Sequence, residues 1–270
     1  MNNAILSFFS HTLVNATIGS TRMLKEIATD LVAATDFAQA SVLTKRLATI
    51  ATRMSVVESL VKVFKLYTSE PYALRKDWKA DQGHDYTIAQ TVVLALQMTL
   101  IRFCQMPEFK NARRRLLPDV QDDMLTAELI SAIMPYDGSS AAQLRLVVSW
   151  IETRMPFMRL ALNGIEHVHV QENGARHIVI FALVSELLTN ALKYTAPSSE
   201  PDSHILLQVS PTPTGLYIAC SNPIDDEVST PLSGNMGLAF IREVCNQVEA
   251  DFPDPVALDG EFWVETFLPF

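Results

Sequence analysis

The segment Ile178 to Leu192 constrains this chain more than any other. At helical spacing its residues are apolar nearly all the way round, so the helix they form has to be buried on most sides. Three polar residues break the pattern. Glu186, Asn190 and Lys193 stand at i, i+4 and i+7, and therefore on one face. Groups of this kind are costly to bury without partners. They either form the one exposed edge of the helix or line a polar cleft, and spacing alone leaves both open.

The chain around this helix has 270 residues, enough for two domains with a core each. Hydrophobic residues make up 49% and charged residues 19%, the mixture of a packed globular protein. The net charge of -9 gives no general attraction to nucleic acid or to an anionic membrane. The one basic cluster, Arg113-Arg114-Arg115, reads as a solvated helix end. Cys104, Cys220 and Cys245 are scattered without pairing or metal spacing, which fits small core residues in a reducing cytoplasm. The N-terminus lacks the pattern of a signal peptide. The most apolar window, Thr87 to Phe103, contains Gln90 and Gln97 and reads as a buried helix rather than a membrane span.

Periodicity divides the chain into three. Residues 4 to 30 and about 36 to 67 form two long amphipathic helices, with Ile5, Phe9 and Leu13 on the first stripe and Leu43, Leu47 and Met54 on the second. Joined as a hairpin over 1–70, their wide stripes call for a second copy and a dimeric four-helix bundle. Residues 71–137 form a helical insert of unassigned role, with helices at about Tyr86 to Cys104, Pro107 to Leu116 and Gln121 to Ile133. The loop Asp137-Gly138-Ser139-Ser140 marks a boundary. Residues 138–270 then mix helices (Ala141 to Arg154, Ala175 to Tyr194, Gly237 to Glu249) with strands (Ile165 to Gln171, Ile205 to Ser210, Leu216 to Ser221, Glu261 to Leu268). The fold class is α+β, and this last part is an α/β sandwich with helices on one face of a mixed sheet.

The run Ser185-Glu186-Leu187-Leu188-Thr189-Asn190-Ala191-Leu192-Lys193-Tyr194 resembles the N-box of the GHKL ATPases, which include the sensor histidine kinases. The resemblance covers roughly Ser140 to the C-terminus. It implies an ATP and magnesium site: Asn190 as metal ligand, Glu186 helping to activate the attacking group, and Lys193 near the phosphates with Tyr194 beside it. Magnesium takes hard oxygen ligands and shares its coordination with phosphate. Further on, Asn222 stands where the family's adenine-binding aspartate is expected, and the usual glycines of that box are absent. Gly234-Asn235-Met236-Gly237-Leu238 resembles the glycine-rich phosphate box, with Asn235 in place of one glycine. By this resemblance Gly234, Gly237 and Leu238 are cofactor-binding. Asp225 to Ser233 is short for the family's mobile lid.

Upstream, Phe9-Ser10-His11-Thr12-Leu13-Val14-Asn15 resembles the phosphoacceptor box of the dimerisation and histidine-phosphotransfer domain. His11 lies nearly opposite the centre of its helix's apolar stripe. The resemblance implies that His11 takes the phosphate and passes it to the receiver domain of a response regulator, and that Asn15 positions a water for dephosphorylation. Thr12 departs from the family's Asp or Glu and cannot serve as the proton acceptor there.

Three functions follow: an ATP-dependent histidine kinase of two-component signalling, cytoplasmic and homodimeric; an ATP-independent phosphotransferase or phosphatase adaptor of the same architecture; or a non-catalytic protein that changes partners when nucleotide binds. His167 and His169 would share one face of a strand, which suits a metal, but no third ligand accompanies them.

Overall fold

A computed structural model describes residues 73–118, 122–196, 204–224 and 236–270. The expected hairpin over 1–70, with His11, Thr12 and Asn15, lies outside the described residues, as do Gly234 and the segment 225–233.

The described chain begins with α1 (Ala73–Ala80) and the two-residue strand β1 (Tyr86–Thr87), which leads into α2 (Ile88–Gln105). Thr87 explains why α2 starts where it does. Its hydroxyl accepts from the Gln90 amide at 3.2 Å, and the Gln90 side chain accepts from the Thr87 amide at 2.9 Å, a reciprocal capping box. A 3-10 turn (Pro107–Phe109) and the helices α3 (Lys110–Leu116) and α4 (Asp122–Ala132) follow. Gln97 is buried in α2, yet its amide donates to the Ile133 and Tyr136 carbonyls at 2.9 and 2.7 Å and closes the end of α4.

The second half contains α5 (Ala141–Arg154), β2 (Met158–Leu162), a 3-10 turn (Ile165–His167), β3 (His169–Val170), α6 (Ala175–Tyr194), β4 (Ile205–Thr212), β5 (Gly215–Pro223), α7 (Met236–Gln247), β6 (Val256–Leu258) and β7 (Glu261–Pro269). Five strands form a mixed sheet in the order β2-β4-β5-β7-β6. β2 runs parallel to β4, and the other neighbours are antiparallel. Ile205, Leu207 and Val209 of β4 point into the core while Gln208 and Ser210 alternate outward. Helix α5 packs on β2, and α6 packs on β4 and β5. Helix α7 lies against α6 and meets β7 where Cys245 Sγ sits 3.4 Å from Thr266 Oγ1.

Helix α2 packs along α6 in the same direction. Tyr86 stacks on His177 at one end, with ring centroids 4.8 Å apart, and Glu108 approaches Lys193 at the other. With the sheet on one side and α2 on another, α6 is apolar all round because it is surrounded. By length and composition α2 and α6 are each apolar enough to cross a membrane, but both are mostly buried within the protein itself, as core helices are.

Several expectations change. The turn at 137–138 packs against α2. Gly138 has φ +79°, and a Cβ there would lie 2.7 Å from Val93 Cγ2 on α2. Leu74, Val92 and Ile133 share one continuous core with Leu144, Leu183 and Leu268, so the helices of residues 73–134 pack with the C-terminal elements. The expected strand Ile165 to Gln171 is a 3-10 turn entered through left-handed Gly164, followed by β3 paired with β1. His167 and His169 therefore do not share a strand face. Strands β2 and β6 were not expected. Nor is Arg113-Arg114-Arg115 simply solvated: Arg113 is buried and donates to the Phe103 and Met106 carbonyls, and Arg115 donates to the Lys193 carbonyl at 2.9 Å.

Candidate functional site

The polar stripe on α6 is held together by its own side chains and by two neighbouring elements. Asn190 is buried, and its Nδ2 donates to Glu186 Oε1 at 3.2 Å, one helical turn away. That bond uses the donor end of the amide and leaves Oδ1 as its acceptor. Burial pushes the Glu186 carboxyl well above the usual carboxylate range, against the pull of Arg102 and Lys193 and of the bond from Asn190.

The start of α7 closes on the same carboxylate. A Cβ placed on Gly237 would come within 1.7 Å of Glu186 Oε1, so only glycine fits there while Glu186 keeps its position. Leu238 follows as a buried core residue. The stripe and the start of α7 thus meet at Glu186 and Gly237.

On the opposite side the stripe meets the end of α2 and the 3-10 turn after it. Arg102 Nε and Nη2 donate to Glu108 Oε1 at 3.0 and 2.6 Å. Lys193 Nζ lies 3.9 Å from the same oxygen. Both cations stand over the ring of Phe109, at 5.7 and 5.5 Å from its centroid. Sequence reading missed Arg102, Glu108 and Phe109, because they belong to a segment set aside as an insert. The one local signal was a charged residue on the last turn of an otherwise apolar helix.

The remaining predicted residues sit further out. Asn222 is buried at the end of β5, where its Nδ2 donates to the Pro223 carbonyl at 3.0 Å. The Pro223 carbonyl also accepts from the Ala196 amide at 2.8 Å, tying this strand end to the chain just past α6. Tyr194 is exposed on the last turn of α6, 55% accessible, and does not share the enclosure of Asn190.

No protein-family model and no curated protein matches the sequence. Solved structures do resemble it. They include the catalytic domain of histidine kinase ThkA (14% identity, covering 46% of this chain and 88% of that one, TM-score 0.33). A second is the histidine kinase domain of the blue-light activated histidine kinase EL346 from Erythrobacter litoralis (18% identity, 73% and 92% covered, TM-score 0.36). A third is the Acinetobacter baumannii histidine kinase AdeS (8% identity, 93% and 94% covered, TM-score 0.37). The chemistry of the site stands on its own residues.

The donor set fits magnesium and a polyphosphate. Asn190 Oδ1 and the Glu186 carboxylate are hard oxygens, and Lys193 and Arg102 are cations within reach of one anion. Among the described residues no group of three or more His, Cys, Asp or Glu gathers as a separate metal site.

Proposed function

We propose that this chain is a histidine-kinase-like protein of two-component signalling that binds ATP and magnesium on the α6 stripe. The observation that carries the reading is the contact of Glu186 with both Asn190 and Gly237, which joins the metal-and-phosphate residues to the glycine-rich helix start. Asn190 holds the magnesium, which neutralises phosphate charge when bound. Lys193 orients the phosphates, Glu186 is the proton acceptor, and Asn222 with Gly234 and Leu238 borders the nucleotide. The γ-phosphoryl group passes to His11, ADP leaves, and a response-regulator receiver then takes the phosphate. The protein acts as a cytoplasmic homodimer through its N-terminal hairpin, with Asn15 positioning water for dephosphorylation.

A second reading is an adaptor that moves phosphate without ATP. It is favoured by the adenine side of the site, where Asn222 replaces the expected aspartate and spends one of its two amide N–H donors on the Pro223 carbonyl. In a third reading the protein binds nucleotide to change partners without transferring phosphate. Incubation with radiolabelled ATP and magnesium, alongside His11→Gln and Asn190→Ala, separates the three. Label on the wild type and on neither variant is the expected result. No label and no thermal shift by ATP overturns the kinase and favours the adaptor. A thermal shift without label favours the nucleotide switch.

A further inference from the structure

Glu108 sits between two cations in a way that its own pairing does not require. Arg102 directs two N–H groups at Glu108 Oε1, and Lys193 approaches that same oxygen from α6. A surface ion pair needs one cation, and a second held near it is repelled unless an anion stands between them. Here the packing imposes the convergence. Phe109 is fully buried and lies against both cations, and Arg115 holds the Lys193 carbonyl, so the two positive groups are fixed from beneath. Glu108 itself follows Pro107 on a short 3-10 turn and reaches the pair only through a flexible side chain.

Arg102 and Lys193 bring two cations onto the single carboxylate of Glu108. The side chains of Arg102, Lys193 and Glu108 are 19, 31 and 30% exposed, so an anion from solvent reaches them. A phosphate offers three oxygens and up to two charges where a carboxylate offers two oxygens and one charge. The fork of an arginine binds it in bidentate fashion.

We propose that Arg102 and Lys193 form a receiving pair for the polyphosphate of a nucleotide, and that Glu108 is an internal anion that holds the pair until phosphate displaces it. The inference deepens the nucleotide reading above and rests on it for the identity of the ligand. Arg102 is thereby a phosphate-binding residue contributed by α2. Glu108 sets the affinity, because every phosphate that binds must first move it aside.

Calorimetric titration of the full chain with magnesium-ATP, inorganic tripolyphosphate and adenosine tests this on the wild type, Glu108→Gln and Arg102→Gln. Melting curves confirm that each variant is folded, and Arg102→Lys, which keeps the charge without the fork, serves as the conservative control. The expected result is that Glu108→Gln tightens ATP and tripolyphosphate about ten-fold. Arg102→Gln should weaken both by about ten-fold or more, with Arg102→Lys intermediate and adenosine affected in none. ATP binding that is the same in all four proteins overturns the proposal and leaves the nucleotide reading standing. If ATP and adenosine fail to bind while tripolyphosphate responds as above, the receiving pair is supported and the nucleotide reading falls. If the wild type and Glu108→Gln both bind neither ATP nor tripolyphosphate, both fall.

Discussion

Asn190 and Glu186 are joined across one turn of α6 by a hydrogen bond of 3.2 Å, in which an amide donates to a carboxyl group whose pKa burial raises. A donor that serves a buried carboxyl group and still presents an oxygen links structure and ligand binding in one side chain. Asn190→Ala removes the bond and should cost about 1 kcal/mol of stability in urea denaturation. Nucleotide binding should be lost in the same variant. A destabilisation large enough to unfold it at room temperature would assign Asn190 a purely structural role.

Gly237→Ala sets a methyl group against the Glu186 carboxylate. The carboxylate is the end of a side chain and can swing aside, so the fold should survive with a loss of about 1–2 kcal/mol in thermal melting. The site should not, because Glu186 and its bond to Asn190 are displaced together. An alanine variant that binds ATP as the wild type does would show that the meeting of α6 and α7 is incidental to function.

His177 is buried against Tyr86, and neither ring nitrogen has a hydrogen-bond partner. Burial lowers its pKa to about 4 from 6.5, despite the opposing pull of Asp81. The unfolded chain therefore takes up a proton that the folded chain refuses. Stability from this group is complete above pH 6.5 and is lost as pH falls toward 4, by about 3 kcal/mol in total. Glu186 acts in the opposite sense, since its raised pKa favours the folded state as pH falls. His177→Leu should leave stability at pH 7.5 within about 1 kcal/mol of wild type and flatten the acid limb between pH 6.5 and 4. Parallel acid limbs in the two proteins would show that His177 does not titrate in this range.

Asp81 acts on α6 from well upstream of it. The residue is buried, and its carboxylate accepts from the amides of Gly83 and Gln171 at 3.2 and 2.9 Å and from Arg176, in the first turn of α6, at 3.1 Å. A carboxylate here meets both the orphan amides and the positive end of the helix dipole. Asp81→Ala strands those amides and should destabilise by about 3 kcal/mol, while Asp81→Asn, which still accepts, should lose about 1–2. Hydrogen exchange at the first turn of α6 locates the effect; protection there unchanged in Asp81→Ala would refute the capping role.

Much of this was legible in the sequence, and the parts that were not share a cause. The bounds of α5 and α6 followed from continuous apolar periodicity. The β4–β5 hairpin followed from alternation on either side of a proline- and glycine-bearing turn. Strand β2, by contrast, is five residues caught between Pro156 and Asn163 with no turn signal of its own, and only its parallel pairing with β4 makes it a strand. The β6–β7 turn did carry a signal: Asp259-Gly260, both with positive φ at 52 and 77°, is a sequence suited to a tight hairpin. At the site, Glu186, Asn190 and Lys193 were visible because helical spacing places them together. Arg102, Glu108 and Asp81 were not, since packing between distant helices brings them there and no local pattern encodes it. The packing of residues 73–134 was hidden for the same reason: the apolar faces of α2 and α4 were readable, but not the partner that covers them.

The indole of Trp78 donates to the Pro269 carbonyl at 2.7 Å, across a sequence separation of 191 residues, and Arg176 lies over the rings of both Trp78 and Phe270, which themselves meet at 6.1 Å. During synthesis, α1 leaves the ribosome long before its acceptor on the last strand exists. That contact closes a long loop of chain, at an entropic cost that grows with its length. A chain cut within β7, before Pro269, would retain nearly all of its core yet lack the clasp on α1. The last strand of the sheet is therefore also the fastener of the first described helix.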